Sequence, residues 1–173
     1  MPDLSFSPAV YEDAAQLAAL INSAYRGESS RQGWTTEADL IDGLRTDIEM
    51  IQDLLVMADS MLLLCKQDRE LLGSVHLQFC GDEVQIGMLA VSPGLQGRGI
   101  GKQLLRAAEA TACSTWRFQR FVMSVIPCRQ ELMAFYERRG YRRTGINKAF
   151  PANPALWTPK VAGLSLELLE KLV

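Results

Sequence analysis

A cluster of glycines between a strand-like and a helix-like segment constrains this chain more than any other part of its sequence. Residues 83–91 are rich in strand-forming side chains, and Pro93, which cannot donate a ladder hydrogen bond, ends the pairing. Glycines follow at alternate positions: Gly97, Gly99 and Gly101. An amphipathic helix is then predicted from about residue 99 to residue 113. The sequence therefore predicts a strand, a glycine-rich turn and a helix in immediate succession.

The turn into this helix predicts an anion site suited to a phosphate. The first helical amides lack intrahelical partners and the helix dipole favours negative charge, while Arg98 and Lys102 add positive charge. A Walker A loop is excluded, because Gln96 stands at its first glycine and Gln103 at its Ser or Thr. A dinucleotide fingerprint is excluded by the glycine spacing and by the lack of an acidic ribose ligand at the right distance.

The remaining sequence predicts one mixed α/β (α+β) domain over residues 1–173. Strands are predicted at residues 4–9, 61–66, 71–79, 83–91, 120–126, 141–147 and 164–168. Helices are predicted at residues 12–26, 36–45, 48–58, 99–113 and 129–139. The prediction of a helix at residues 36–45 depends on Thr36 and Asp39, which resemble a capping box. Short connections between the strands of residues 61–91 predict an antiparallel meander.

Composition excludes several classes of protein. With 48% hydrophobic residues and a net charge of −2, the chain can bury a core but has no broad basic surface for nucleic acid. No metal site is expected, because the cysteines form no C-x-x-C pair and the single histidine, His76, is interpreted as structural. Reduced, mostly buried thiols in a cytoplasmic protein are expected at Cys65, Cys80, Cys113 and Cys128. No signal peptide and no membrane-spanning run are visible.

Two segments resemble one known family. Residues 96–101, QGRGIG, resemble the Q/R-x-x-G-x-G/A motif of the GNAT N-acetyltransferase superfamily, and the strand before them resembles that family's fourth strand. Residues 125–141 resemble its second signature, which ends in Tyr-Glu-x-x-Gly-aromatic, here residues 136–141. The resemblance implies the GNAT fold: a mixed, mostly antiparallel twisted sheet of about seven strands, flanked by about four to five helices and splayed at strands 4 and 5.

The resemblance also implies how acetyl-CoA would be held. In this family the pantetheine arm fills the gap between the splayed strands, so backbone groups of Leu89 and Val91 would bond its amides. The following backbone amides would hold the pyrophosphate. The cofactor-binding residues implied in this chain are Leu89, Ala90, Val91, Gln96, Gly97, Arg98, Gly99, Ile100, Gly101 and Lys102. The family transfers the acetyl group directly to an amine, without a metal.

Catalytic residues follow from the same resemblance. Tyr136 is the implied acid that protonates the leaving sulfur; the alternative is a tyrosine that packs in the core. Gln85 stands where some members carry a glutamate base. Glu83, two residues earlier on the same strand face, is the remaining candidate, and a solvated residue at a strand start is its alternative. Arg129 replaces a family asparagine, which questions any mechanism that needs a side-chain amide there.

The acceptor is expected to be an amine of a small molecule or peptide. The family's acceptor pocket is lined by the region after the first helix, here residues 25–37. The substrate-binding candidates in it are Arg31, Trp34 and Glu37. The alternative is a capped helix start with Trp34 packed beneath it. Trp157 either reaches the acceptor side or covers the sheet.

The leading hypothesis is a cytoplasmic, acetyl-CoA-dependent N-acetyltransferase. Gln85 and Arg129 leave open a non-catalytic acyl-CoA-binding sensor or regulatory domain of the same fold. An enzyme for a longer acyl-CoA is a third alternative. No nucleic-acid or membrane partner is expected. Many family members form dimers, so a homodimer is one assembly that the resemblance allows.

Overall fold

The computed structural model describes residues 3–117 and 120–173. Its helices are α1 (Ala14–Tyr25), α2 (Ile48–Val56), α3 (Ile100–Trp116) and α4 (Gln130–Glu137). Its strands are β1 (Ser5–Pro8), β2 (Ile41–Gly43), β3 (Ser60–Gln67), β4 (Glu70–Cys80), β5 (Glu83–Val91), β6 (Arg120–Val125), β7 (Arg142–Ala149), β8 (Trp157–Pro159) and β9 (Ser165–Leu172). Short 3-10 turns precede α1, follow it and follow β5.

Seven of the strands form one sheet in the order β1-β3-β4-β5-β6-β9-β7. The neighbouring strands are antiparallel except β5 and β6, which are parallel because α3 crosses over between them. The predicted antiparallel meander corresponds to β3, β4 and β5. The predicted mixed, mostly antiparallel sheet of about seven strands is confirmed.

Helices cover both faces of the central strands. Leu62 and Leu64 of β3 pack with α1 and α2, whereas Leu63 and Cys65 belong to the larger core cluster that contains α3 and α4. Successive side chains of a strand point to opposite faces, so a strand that is buried on both sides reads as a continuous apolar run. This explains why the short apolar segment before Lys66 forms a central strand.

The sheet opens between β5 and β6. These strands pair only at Val84 with Phe121 and at Gln85 with Val122. The register of β4 against β5 shifts further along β5, where Met88 has a φ of +48°. Such an irregularity bends the strand and strengthens its local twist. The fourth and fifth strands of the sheet therefore splay apart, as predicted.

The predicted helix at residues 36–45 is wrong. The Thr36 hydroxyl accepts a hydrogen bond from the Ala38 amide, 3.1 Å away, in a local turn. The Asp39 carboxylate pairs with Arg31 at 2.8 Å instead of completing a capping box. The side chains that suggested a helix start are therefore used in a loop.

A second, two-stranded sheet occupies part of that segment. Strand β2 pairs with β8 in antiparallel register, although no strand was predicted between residues 147 and 164. Gly43 ends β2 with a φ of +98°, and a Cβ there would lie 2.1 Å from the carbonyl oxygen of Leu156. Only glycine permits this approach between backbones. Long-range pairing thus overrides the local helical pattern.

The remaining expectations concern cysteines, metals and membranes. The four cysteines are free, but the prediction of mostly buried thiols is wrong, because Cys128 is exposed and only Cys65 is fully buried. Within residues 3–117 and 120–173, no group of three or more His, Cys, Asp or Glu side chains could hold a metal ion. No helix in the same part of the chain is long and apolar enough to cross a membrane.

Candidate active site

Two cavities, each of about 290 Å³, meet where the sheet opens. The first, which we name the glycine cavity, is lined by the turn before α3, by the end of β5 and by α4. The second, the strand cavity, lies between β5, β6 and β9. Both cavities are lined by Tyr25, Leu89, Arg129, Leu132 and Tyr136. These shared residues form a junction at which a group in one cavity can reach a group in the other.

Free backbone donors line the glycine cavity. Among the described residues, the backbone amides of residues 97–102 have no hydrogen-bond partner, whereas the Gln96 amide donates to Pro93 and the Gln103 amide to Gly99. Gly97 and Gly99 have φ values of +80° and +82°, a left-handed conformation that glycine adopts readily, and they lie directly before α3. This arrangement favours an anion. The Gln96 amide, which was predicted to join the set, is already used.

The Gln96 side chain connects the loop after α1 to the end of β5. Its Oε1 accepts hydrogen bonds from the amides of Trp34 (2.8 Å) and Thr35 (3.2 Å). Its Nε2 donates to the Val91 carbonyl (3.0 Å) and to the Thr35 hydroxyl (2.8 Å). The first residue of the glycine motif therefore fixes one wall of the glycine cavity through its side chain.

Backbone groups of β5 face the gap in the sheet. The Ser92 amide donates to Leu72 of β4, so the backbone groups of Val91 and Leu89 point the other way, toward the junction. The Leu89 carbonyl accepts a hydrogen bond from the Tyr25 hydroxyl at 2.6 Å. A carbonyl has two lone pairs and the amides on this side remain available, so this edge can bind an extended ligand.

Tyr136 brings a hydroxyl to the junction. Its residue is only 6% exposed, and its ring packs edge-on against Phe135 (5.3 Å between centroids) and Tyr141 (6.0 Å). Its hydroxyl has no hydrogen-bond partner among the described residues, although it lines both cavities. Burial raises the pKa of Tyr136, and the neighbouring Tyr25 raises it further. The phenol therefore stays protonated and is available as a donor.

A buried carboxylate links two arginines beside the junction. Glu37 accepts from Arg26 Nε at 3.1 Å and from Arg129 Nη1 at 3.0 Å, and its residue is 6% exposed. Arg129 also donates to the Thr35 carbonyl, and Arg26 to the Leu44 carbonyl. A buried charge needs such pairing to remain ionised without a large cost. Of the three predicted substrate-binding residues, only Glu37 lines the strand cavity.

Trp34 was predicted to bind the substrate, but it does not line the strand cavity. It lines the glycine cavity, and its ring lies 5.6 Å from that of Phe135. Trp157, in contrast, lines the strand cavity, and its indole nitrogen donates to the Pro151 carbonyl at 3.0 Å. The two tryptophans therefore serve different cavities.

Two of the predicted catalytic and substrate-binding residues line neither cavity, and neither do the predicted cofactor-binding residues Ala90, Arg98 and Ile100. Arg31 pairs with Glu28 and Asp39, and 38% of its side chain is exposed. Glu83 pairs with Arg120 at 2.7 Å near the start of β5. The structure therefore brings neither residue to the junction.

Three cationic residues of the strand cavity were not predicted as site residues. Arg26, Arg45 and Lys148 line it together with Arg129. Arg26 lies within residues 25–37, the segment that was predicted to line the acceptor pocket, although it was not chosen as a substrate-binding residue. Arg45 lies in the segment before α2, and Lys148 lies in β7. No local sequence pattern connects these two residues.

His76 lines the strand cavity in its neutral form. Its Nε2 lies 2.8 Å from the Ser60 hydroxyl. Burial and, to a smaller extent, the positive charge of Arg45 lower the pKa of His76 to about 4. A base this weak is a poor acceptor for an amine proton. These contacts support the structural interpretation of His76.

This depressed pKa predicts a specific loss of stability in acid. The unfolded chain takes up the imidazole proton near pH 6.5 and the folded chain only near pH 4. Stability is therefore full above pH 6.5 and falls by up to roughly 3 kcal/mol as the pH drops through this window. Urea unfolding of the parent and of His76→Gln across this range measures the difference between them. The single imidazole proton resonance should titrate near pH 4; titration near 6.5 would contradict the assignment.

Comparison with known families gives one match. The profile described as "Acetyltransferase (GNAT) family" matches residues 18–141, which include the glycine turn, α3 and α4. A comparison of the sequence with curated proteins gives no match.

Solved structures share the fold at low sequence identity. An IAA acetyltransferase from Bacillus cereus is 17% identical, with a TM-score of 0.66 over 99% of this chain and 100% of its own. The ribosomal-protein-S18-alanine N-acetyltransferase from Escherichia coli is 11% identical, with a TM-score of 0.70 over 99% of this chain and 94% of its own. The PaiA N-acetyltransferase from Thermoplasma acidophilum, solved in complex with coenzyme A, is 16% identical, with a TM-score of 0.68 over 99% of each chain.

Proposed function

This chain belongs to the acetyltransferase (GNAT) family, and from that membership we propose that it transfers an acetyl group from acetyl-CoA directly to the primary amine of a small molecule or peptide. One observation carries the proposal: the two cavities share a junction that is lined by Tyr136. The glycine cavity would take the donor and the strand cavity the acceptor. The reacting atoms would then meet at the junction.

The glycine cavity fits the phosphate and pantetheine parts of acetyl-CoA. The free amides of residues 97–102 and the N-terminus of α3 favour a pyrophosphate, and Lys102 adds a positive charge on the cavity wall. The outward-facing backbone of Leu89 and Val91 offers hydrogen bonds to the pantetheine amides. Because these contacts come from the main chain, the side chains of Arg98 and Ile100 should tolerate change better than Gly99.

The chemistry requires two proton movements. The amine nitrogen forms a bond to the thioester carbonyl carbon, the carbon–sulfur bond breaks, the nitrogen loses one proton and the sulfur gains one. Tyr136 supports the second movement, because its protonated hydroxyl is free and lines both cavities. The phenol would be restored by the proton that leaves the nitrogen, carried by solvent.

The structure offers no support for Glu83 as the general base, since it pairs with Arg120 outside both cavities. Within the described part of the chain, the only carboxylate that lines the strand cavity is Glu37, whose two oxygens are taken by arginines. The cationic lining instead disfavours an ammonium ion and favours the neutral amine, which is the nucleophile. We therefore propose that the acceptor binds as the neutral amine and that no protein carboxylate is needed as the base.

Turnover and binding must be measured together to test this function. Calorimetry with acetyl-CoA tests the glycine cavity, and release of free thiol in the presence of an amine panel tests the transfer. We expect micromolar binding, of the order common for enzyme substrates, and amine-dependent thiol release. Acetyl-CoA binding without turnover on any amine or peptide N-terminus would contradict the enzyme and favour the sensor. Absence of binding would contradict both.

A further inference from the structure

The charges of the strand cavity are unequal. It is lined by four cationic side chains and one carboxylate: Arg26, Arg45, Arg129, Lys148 and Glu37. Glu37 is occupied by Arg26 and Arg129, so this group of three carries one net positive charge. The titratable rings that line the cavity, those of His76, Tyr25 and Tyr136, are neutral at pH 7 because burial lowers the pKa of the histidine and raises those of the tyrosines. The cavity therefore presents excess positive charge to whatever enters it.

Two of these cations have no anionic partner. Among residues 3–117 and 120–173, neither Arg45 nor Lys148 forms an ion pair, although most other arginines near the sheet do. Arg45 is half-buried, and its backbone amide is fixed by the Asn22 side chain at 2.8 Å. Its positive charge acts on Tyr25, Arg26 and His76, which places it inside the electrostatic field of the cavity. A cation that is partly withdrawn from water and unpaired is poised to bind an anion.

We infer that the acceptor is a small amine that also carries an anionic group, a carboxylate or a phosphate, and that Arg45 and Lys148 bind this group. The inference rests on the proposed function, because it assigns the acceptor of that same reaction. Arg45 supplies a planar fork that matches either anion in two hydrogen bonds, and Lys148 adds a point charge at the exposed rim on β7. The excess positive charge makes diamines and polyamines poor acceptors.

The uncharged side chains and the volume of the strand cavity restrict the size and polarity of the part of the acceptor between its amine and its anionic group. Trp157 and Phe150 come from the segment around β8, and Leu168 from β9, so one wall of the cavity is aromatic and apolar. The volume of about 290 Å³ is just below the range of about 300–1,000 Å³ for ligand pockets, so the cavity is small. An amino acid, or an amine of similar size with an apolar middle, fits this combination of volume and charge.

Matched amines test the inference. Thiol release is followed with 4-aminobutanoate, 4-aminobutanamide and 1,4-diaminobutane, which differ mainly in the charge at one end, and with 3-aminopropyl phosphate. Phenylalanine and phenylalaninamide repeat the test with an aromatic body. Rates are compared per neutral amine, because the amide and acid forms differ in protonation. Each anionic amine should exceed its neutral match in kcat/KM by about 10- to 100-fold, mainly through KM, and the diamine should be the poorest. The phosphate and carboxylate arms identify the preferred anion.

Variants locate the anion site. Arg45→Gln should remove most of the preference for the anionic amine, and Arg45→Lys should retain part of it. Lys148→Gln should reduce the preference less, because Lys148 is exposed. Arg69→Gln is the control variant, because it removes the same charge from the exposed turn between β3 and β4, outside both cavities. This variant should retain the preference for the anionic amine.

The outcomes separate the two proposals. Turnover with no preference for anionic amines, or a preference that survives Arg45→Gln, overturns the inference and leaves the acetyltransferase intact. Acetyl-CoA binding without turnover on any amine overturns the proposed function, and the acceptor assignment fails with it.

Discussion

Replacing Tyr136 by phenylalanine is expected to lower kcat by about 10²- to 10⁴-fold, the usual contribution of a general acid. Tyr136 is buried and lines both cavities, and its hydroxyl has no partner among the described residues, so removal of the hydroxyl costs no hydrogen bond within the fold. The ring contacts with Phe135 and Tyr141 are preserved. Acetyl-CoA affinity by calorimetry and the thermal midpoint should therefore remain close to those of the parent, while steady-state kcat falls.

The pH profile gives an independent check. Burial raises the pKa of Tyr136 above its ordinary value, so the phenol should not deprotonate below about pH 10, and its role predicts no loss of activity on the alkaline side up to that point. Tyr11→Phe is the matched control, because Tyr11 is exposed and lines neither cavity. A kcat for Tyr136→Phe that resembles the Tyr11→Phe value would show that another group protonates the sulfur.

Replacing Gly99 by valine is expected to raise the dissociation constant of acetyl-CoA by about 10- to 100-fold, because a lost hydrogen bond to a charged group costs about 1.5–3 kcal/mol. Gly99 is the N-cap residue that precedes α3 and has a φ of +82°, and a β-branched residue is strained there. Relief of that strain would rotate the free amides of residues 97–102 away from their common direction. We also expect the variant to be less stable by about 1–3 kcal/mol.

Gly94→Val is the control in the same segment. Gly94 lies in the 3-10 turn Pro93–Leu95, its φ is not positive, and a Cβ there would contact nothing within 4 Å. Its acetyl-CoA affinity should stay within about twofold of the parent, as for most surface substitutions. Calorimetry should be run well below the melting temperature of each variant, so that weaker binding is not confused with unfolding. Unchanged affinity in folded Gly99→Val would contradict the role of these amides.

Local signals explain how much of the fold was predictable. Apolar runs and short turns located β3, β4 and β5, and the glycine turn located the start of α3. The helix predicted at residues 36–45 failed because the pairing of β2 with β8 joins segments more than 100 residues apart, and such pairing competes with local propensity. Gly43 was visible in the sequence, but the close approach of the Leu156 carbonyl that requires glycine there was not.

The predicted catalytic residues divide in the same way. Tyr136 was found through a motif, and the structure brings it to the junction. Glu83 was chosen by its spacing from Gln85 on one strand face, and this spacing could not show that Arg120 on the next strand would take its carboxylate. The spacing defines the side of a strand on which a residue lies, but its partners come from strands that are distant in sequence.

The glycine segment by itself predicted which side of the molecule is suited to an anion, because the amides of residues 97–102 are consecutive and belong to a local turn and a helix start. The tertiary structure alone decided the character of the other cavity. Its charges come from the end of α1, the approach to α2, the start of α4 and β7, and they act together only after the sheet has splayed and the helices have packed. An electrostatic field sums over space and not along the chain, so no local pattern could have revealed it.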